Sequence, residues 1–376
     1  MIIQHPMLWC AVFLMAGIAV GLFYPLPYYL PLLAVLLIGC TLLRHKGHLH
    51  DVLTLFVWLL LGCSRASICS FFSEKPAWQQ AMEQEAKAVQ TSLVTRLEQS
   101  GISTQTLALA EALVVGKRDD LSLGTKRAYR KVGASHLLAL SGMHLGIIYG
   151  ILYLIFVRWL RHSRWRWYAL PLVLLSLWGY ALVAGMPVSL VRAALMLSIM
   201  TVISLAQHHT DPLHPLALSA IIILLIDPSD LLSISFQLSF TAVFFLLALW
   251  TPLSESFPKL HWSVELIAVS CVASLGTMPL VAYYFHQVTL IGPLLSLVLI
   301  PLTTAIIYLT LAAMLLPMVP LGWLLDKLVS LQQHILELAG SLPFATLDDV
   351  RPNGTQVALI YGALLVAIIR LRTRDD

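Results

Sequence analysis

The stretch ASHLLALSGMHLG, from Ala134 to Gly146, places His136, Ser141 and His144 inside an apolar run. Eight residues separate the two histidines, which leaves them about 80° apart on an ideal helix, so both can face one cavity. Ser141 precedes His144 by three residues and shares its surface, close enough for the two to interact. A serine beside a histidine is also the start of a nucleophile–base pair, which would further need an orienting group and an oxyanion site. Gly142 removes a side chain and lets a neighbouring helix, or a threading substrate, approach the backbone.

Other polar residues recur in apolar surroundings, where they tend to face a bundle interior or a water-filled path. In AGMPVSLVRAALM, Pro187 opens a helix after Gly185 and Arg192 sits about one turn inside it. An arginine there needs a carboxylate, a carbonyl array, water or a phosphate. In DPSDLLSISFQLSFTAVF, Asp227 and Asp230 stand at the entrance of a span, Asp230 fits an N-cap, and Gln237 and Ser239 lie within. Tyr283, Tyr284, His286 and Gln287 make an amphipathic belt at a membrane boundary.

The elements that position these groups follow from composition. With 59% hydrophobic and 11% charged residues over 376 positions, the chain is far too apolar for a soluble globular domain. Apolar runs long enough to cross a bilayer recur along it, so the expected fold is all-α, a polytopic helical bundle of about ten to twelve transmembrane helices. Spans are expected near residues 7–24, 28–43, 51–70, 136–157, 168–184, 188–206, 214–227, 232–250, 264–284, 289–317 and 354–370. Pro293 and Pro301 make the run at 289–317 a candidate for a broken helix or two short passes. Residues 321–340 are amphipathic and suit an interfacial or cavity-lining helix. The first apolar stretch reads as a retained helix rather than a cleaved leader. The five cysteines have no metal-type spacing and read as small buried hydrophobes. HKGHLHD at residues 45–51, and the group His208, His209, Asp211 and His214, also lack a supporting ligand set, so neither a metal nor another cofactor is expected.

Basic loops at residues 44–51 and 158–166 and the tail at 370–374 are expected on the cytoplasmic side, which puts 73–133 outside. The chain then divides into N-terminal membrane helices (1–72), an extracytoplasmic amphipathic and basic segment (73–133) and a membrane domain (134–376). Within the middle segment, Trp78–Ser100 and Gln105–Val115 read as helices lying along the membrane surface. They lead into GKRDDLSLGTKRAYRKVG, where Lys117, Arg118, Lys126, Arg127, Arg130 and Lys131 oppose only Asp119 and Asp120. Clustered cations of this kind neutralise phosphates without sequence preference, and Tyr129 would offer a stacking face to a base.

The motifs SHLLALSGMHLGI, AGMPVSLVRAALM, DPSDLLSISFQLSFTAVF and YFHQVTLIGPLLSLVLIPL, in that order over about residues 105–318, resemble the ComEC family of competence proteins. HPMLWCAVFLMAGIAVGLFY resembles the family's first span. The resemblance implies a channel importing single-stranded DNA across the cytoplasmic membrane. His136, Ser141, Gly142, His144, Arg192, Gln237, Ser239 and His286 match motif positions, and the expectation is that they line or brace a hydrated path. Longer members carry an OB-like domain and a metallo-β-lactamase-like domain; this sequence contains neither and reads as a channel core. Ser296 stands where the family pattern has asparagine. Partners implied are DNA, membrane lipid, an external DNA receptor, a cytoplasmic helicase and a separate nuclease, with further copies of the chain allowed. A non-enzymatic channel is the leading expectation; a transporter of another solute and a membrane-embedded Ser/His hydrolase are the alternatives.

Overall fold

The computed structural model describes residues 6–24, 29–42, 47–69, 77–138, 140–158, 166–206, 211–250, 261–342 and 345–372. The described residues are overwhelmingly helical, and three of their helices are long and apolar enough to cross a membrane: Pro6–Phe23, Trp262–Phe285 and Gly292–Leu315. Six shorter apolar helices accompany them. The chain is an all-α membrane protein. Its only described sheet is one antiparallel pair of three-residue strands, β1 (Gln287–Thr289) and β2 (Thr346–Asp348). Residues 43–46, 159–165 and 373–376, which carry much of the expected orientation signal, lie outside the described residues.

Contacts gather the chain into two units, one of residues 1–77 with 199–240 and one of 78–198 with 241–376. That division differs from the three consecutive segments expected from the sequence. Residues 199–240 pack with the N-terminal helices, a long-range pairing that hydropathy does not encode.

The first unit contains α1 (Pro6–Phe23), α2 (Tyr29–Leu42), α3 (Gly47–Cys69) and α10 (Leu213–Ile226). Small residues one turn apart let α1 and α3 come within backbone contact, the packing favoured where lipid removes the hydrophobic drive between helices. A Cβ on Gly17 would lie 1.9 Å from the Leu59 carbonyl oxygen, one on Gly21 2.6 Å from that of Cys63, and one on Gly62 2.4 Å from that of Leu14. Arg65 of α3 then closes the end of α10, its guanidinium donating to the carbonyls of Leu225 at 2.6 Å and Ile226 at 2.7 Å. These are carbonyls that a helix C-terminus leaves without an intrahelical donor.

The second unit is built around α5 (Thr104–Val114), TLALAEALV flanked by Gln105 and capped by Ser103. Alanine and leucine make it a strong helix, and Thr106 and every residue from Ala108 to Val114 are buried. A helix buried on all sides does not lie along a membrane surface, which corrects the expectation for residues 105–115. It packs against α13 (Gly292–Leu315) and α14 (Val319–Gly340), and with α4 (Ala77–Glu98) and α6 (Leu123–Lys131) contributes to one continuous core. α13 is a single helix with Pro301 inside it, so the run at 289–317 is one pass rather than two.

α14 is amphipathic, as expected, with Gly322, Leu325, Val329, Gln332, Leu336 and Ala339 buried at alternating spacings of three and four. Gln332 donates to Thr303 Oγ1 of α13 at 2.7 Å, and Asp326 accepts from the Ser103 hydroxyl at 2.8 Å and the Ser103 N–H at 3.1 Å. Burial opposes ionisation of Asp326. The hydrogen bonds from Thr106 and Ser103 outweigh it and hold the carboxyl below the usual carboxylate range.

Two consequences are measurable. Gly17→Leu forces α1 off α3 and lowers unfolding stability in detergent micelles by about 1–3 kcal/mol, whereas Gly362→Ala, which meets nothing within 4 Å, is neutral or slightly stabilising. Because the folded state lowers the Asp326 pKa, its contribution is present above about pH 4 and lost as the pH falls through the folded value. Melting followed against pH therefore loses part of its acid limb in Asp326→Asn; an unchanged limb removes this carboxylate from the docking of α14.

Candidate functional site

The apolar stretch from His136 onward is not one helix. Ala134–Leu137 forms a single 3₁₀ turn, and α7 (Gly142–Leu152) starts only at Gly142, continuing as a π turn to Val157. The break corrects the expected span at 136–157, and with it the placing of both histidines on one helix. Its cause is the N-cap: Ser141 is extended, with φ −130° and ψ 173°, and forms a capping box in which His144 takes the place usual for glutamate or glutamine. The Ser141 N–H donates to His144 Nδ1 at 3.3 Å, and the Ser141 hydroxyl lies 3.1 Å from the same nitrogen. Nδ1 is therefore an acceptor, and the neutral ring carries its proton on Nε2. Nε2 is fully buried with no partner of ordinary hydrogen-bond geometry among the described residues, the Leu137 carbonyl being a backbone acceptor in its neighbourhood.

α8 (Arg166–Val183) and α9 (Val188–Ala206) form the wall beside this break. Gly185 and Met186 both take positive φ in the turn between them, Pro187 follows, and α9 starts on the next residue. Ser189 donates to the Leu140 carbonyl at 2.6 Å, and Ala193 lies 3.4 Å from where a Cβ on Gly142 would be. Gly142 thus permits close approach of α9, as its type predicts. Arg192 falls on the same turn between those two contacts and is 1% exposed, the largest fully buried side chain described. A guanidinium is thus buried in the unit's interior, on the turn of α9 that meets the start of α7.

A second layer ties the preceding segment to the same place. Gly116, at φ 84°, admits Leu140, whose Cδ1 would stand 2.6 Å from an added Cβ. Tyr180 donates to the Val114 carbonyl at 2.9 Å. Arg118 and His136 both lie within electrostatic range of His144, and His136 Nδ1 pairs with the Gly133 carbonyl at 3.0 Å while the ring remains exposed.

The basic stretch separates into groups with different roles. Lys117 is engaged internally, 2.6 Å from Asp120 and 3.2 Å from the buried Glu111. Asp120 first and Glu111 second hold its ammonium group charged above the usual lysine range. Arg118, Arg127, Arg130 and Lys131 are exposed and Lys126 is half-buried. Tyr129 is fully buried on the inner face of α6, with its phenol pushed up by burial, so its ring is not available for base stacking. The i, i+4 pair Thr125 and Tyr129 anchors α6 to the core, a signal that its apolar minority carries in the sequence.

Two further candidates sit apart from the capped centre. Gln237 and Ser239 belong to the first unit, on α11 (Ile234–Phe245), where Gln237 donates to the Leu231 carbonyl at 3.1 Å and braces the preceding turn. The helix entrance there is capped by Asp227 at the 3₁₀ turn and by Ser233 at α11 rather than by Asp230. His286 ends α12 (Trp262–Phe285) in the left-handed conformation, φ 56°, and is exposed. The next residue, Gln287, donates to the Arg130 carbonyl at 3.4 Å, so His286 lies by α6. Ser296, at the position where asparagine was expected, lies 2.6 Å from Ser270 Oγ and joins α13 to α12.

Glu111, Ser189, Gly116 and Gly133 were not singled out as site residues by sequence reasoning. The glycines carried a visible signal, since they bound the basic stretch; Gly133, at φ 68°, leaves room for Thr289, whose Oγ1 an added Cβ would meet at 2.0 Å. Among the described residues no carboxylate orients Nε2, and no group of three or more His, Cys, Asp or Glu could hold a metal.

These features define a helical membrane protein with a buried arginine beside a helix break and an exposed basic helix. The family model for "Competence protein" matches residues 113–374, well over half of the chain. The chain belongs to the ComEC family of competence proteins. It is 36% identical over 198 residues to ComE operon protein 3 of Bacillus subtilis, covering 52% of this chain and 24% of that one. It is 31% identical over 216 residues to Recombination protein 2 of Haemophilus influenzae, covering 54% and 27%. A Mycoplasma pneumoniae relative named Uncharacterized protein MG316 homolog is 26% identical over 262 residues, covering 64% and 66%. The matched part is thus about a quarter of the length of the first two relatives. No solved structure matches the chain.

The cap makes a specific prediction. Ser141→Ala removes the capping hydroxyl and lowers stability by about 1 kcal/mol, while Ser141→Asn, which caps without a hydroxyl, restores most of it. If activity in cells follows that order, the serine positions α7; activity lost equally in both variants would make the hydroxyl itself the reacting group.

Proposed function

We propose that this chain is the membrane-embedded conduit through which single-stranded DNA enters the cell during transformation, as a multi-pass protein of the cytoplasmic membrane. The observation that carries the reading is family membership across residues 113–374, a region that includes the capped centre and the basic helix. The electrostatics support it. The positive end of α7 suits an anionic cargo, and a phosphate backbone presents that charge at every nucleotide. The exposed cations of α6 suit the same cargo at the surface.

No step in this reading requires bond chemistry in the chain, and no cofactor is invoked. Force and strand processing are assigned to partners: an external DNA receptor, a cytoplasmic helicase and a separate nuclease. Assembly from several copies is compatible with it. Ser141 and His144 then serve position, fixing the start of α7 next to the turn that carries Arg192.

The test is uptake of fluorescently labelled DNA into protected form by an otherwise competent strain with the gene deleted, restored, or restored as Arg192→Gln. Deletion is expected to abolish uptake, and Arg192→Gln to reduce it at least tenfold at matched membrane abundance. Undiminished uptake in the deletion strain would transfer the function to a transporter of another solute.

A further inference from the structure

The basic residues of α6 occupy one face of the helix and its aromatic residue the opposite one. Lys126, Arg127, Arg130 and Lys131 stand at i, i+1, i+4 and i+5, an arc of about 140°. Thr125 and Tyr129 point into the core. Among the described residues none of the four cations pairs with a carboxylate. Of the two acids in the preceding loop, Asp120 is occupied by Lys117.

The face is also held in place. Ser122 caps the helix by accepting from the Thr125 N–H at 3.0 Å, Thr289 fills the space left by Gly133, and Gln287 holds the Arg130 carbonyl. The stem of Lys131 rests where Gly340 leaves room, 3.5 Å from the position of an added Cβ. The four charges therefore project from a helix fixed at both ends, not from an adaptable loop.

We infer that this face docks the sugar–phosphate backbone of a nucleic acid without stacking on its bases, and so accepts single strands, duplexes and abasic strands alike. The inference rests on the DNA-importing reading above and narrows it. Base–aromatic stacking is worth about 1–3 kcal/mol per base where it occurs, enough to dominate a site of four phosphate contacts. Tyr129 is the one aromatic of this helix, and it lies inside the core. What remains is charge, which reads no sequence and is lost in salt. Lys117 is excluded from the contact set, because Glu111 and Asp120 hold it.

The experiment uses the full chain in phosphatidylcholine nanodiscs and labelled 20-nucleotide probes: a mixed-sequence strand, the corresponding abasic strand and the duplex, followed by fluorescence anisotropy. Intact and abasic strands should bind within about threefold of each other. The logarithm of affinity should fall against the logarithm of salt with a slope of about −3 for single strands. Neutralising Lys126, Arg127, Arg130 and Lys131 to glutamine should bring the slope close to zero, while Lys126→Arg with Lys131→Arg should bind as the parent does.

An abasic strand weaker by more than tenfold overturns the inference, and loss of that difference in Phe285→Ala would place stacking at the exposed end of α12 instead. No binding of any probe by the parent, or full binding by the neutralised chain, also overturns it. If that neutralised chain loses only retained phosphatidylglycerol in native mass spectrometry, the face belongs to lipid. None of these outcomes bears on whether deletion abolishes uptake, so the surface and the function fail separately.

Discussion

The second unit depends on how it satisfies a backbone that stops being helical in apolar surroundings. Leu140 and Ser141, described between the 3₁₀ turn and α7, are not helical, and each unpaired N–H or C=O costs several kcal/mol where water is absent. Ser189 takes the Leu140 carbonyl and the His144 ring takes the Ser141 N–H. Those two bonds require α9 to lie against the start of α7, which the missing side chain at Gly142 allows. Leu140 can occupy its place only because Gly116 leaves the space. One break therefore ties together the end of α5, the start of α7 and the first turn of α9, and it puts Arg192 in the interior.

Charges elsewhere obey the same constraint. Glu111 is 3% exposed in the buried stretch of α5, a position that costs a great deal without a counter-ion. Lys117 reaches it by folding back across Gly116, whose positive φ turns the chain at the helix end. Asp120 takes the outer side of the same ammonium group. A segment rich in cations thus spends one of them on the core. The remaining cations are held out of the interior by the Thr125–Tyr129 anchor.

Much of this was legible in the sequence and some was not, for physical reasons. Composition and run length gave the membrane class, and the spacing of Leu325, Val329, Gln332 and Leu336 gave the amphipathic α14. The motif residues Ser141, Gly142 and His144 were found because polar groups stand out in apolar runs. Their geometry was misread because hydropathy averages over a window and cannot see one N-cap inside it. An amphipathic reading of residues 105–115 places α5 on a membrane surface, yet the pairing of Glu111 with Lys117 lets that stretch be buried. Tyr129 looked available because its neighbours are charged, although residues four apart share a helix face and residues one apart do not. The pairing of residues 199–240 with the N-terminal helices has no local signature.

The two positive features of the second unit differ in kind, and under the proposed function that difference has a purpose. Exposed charges act through solvent and are screened within about 8–10 Å at physiological salt, so the α6 face attracts phosphates quickly and releases them easily. Arg192 is buried, where charges are screened far less. A path lined throughout by such buried cations would trap a polyanion, since conduction requires sites weak enough to leave. His144 answers that requirement. With Nδ1 committed to the cap, its neutral ring accepts a hydrogen bond from the backbone and adds no charge to the interior. The cap that breaks the helix thus also keeps the number of fixed interior charges low.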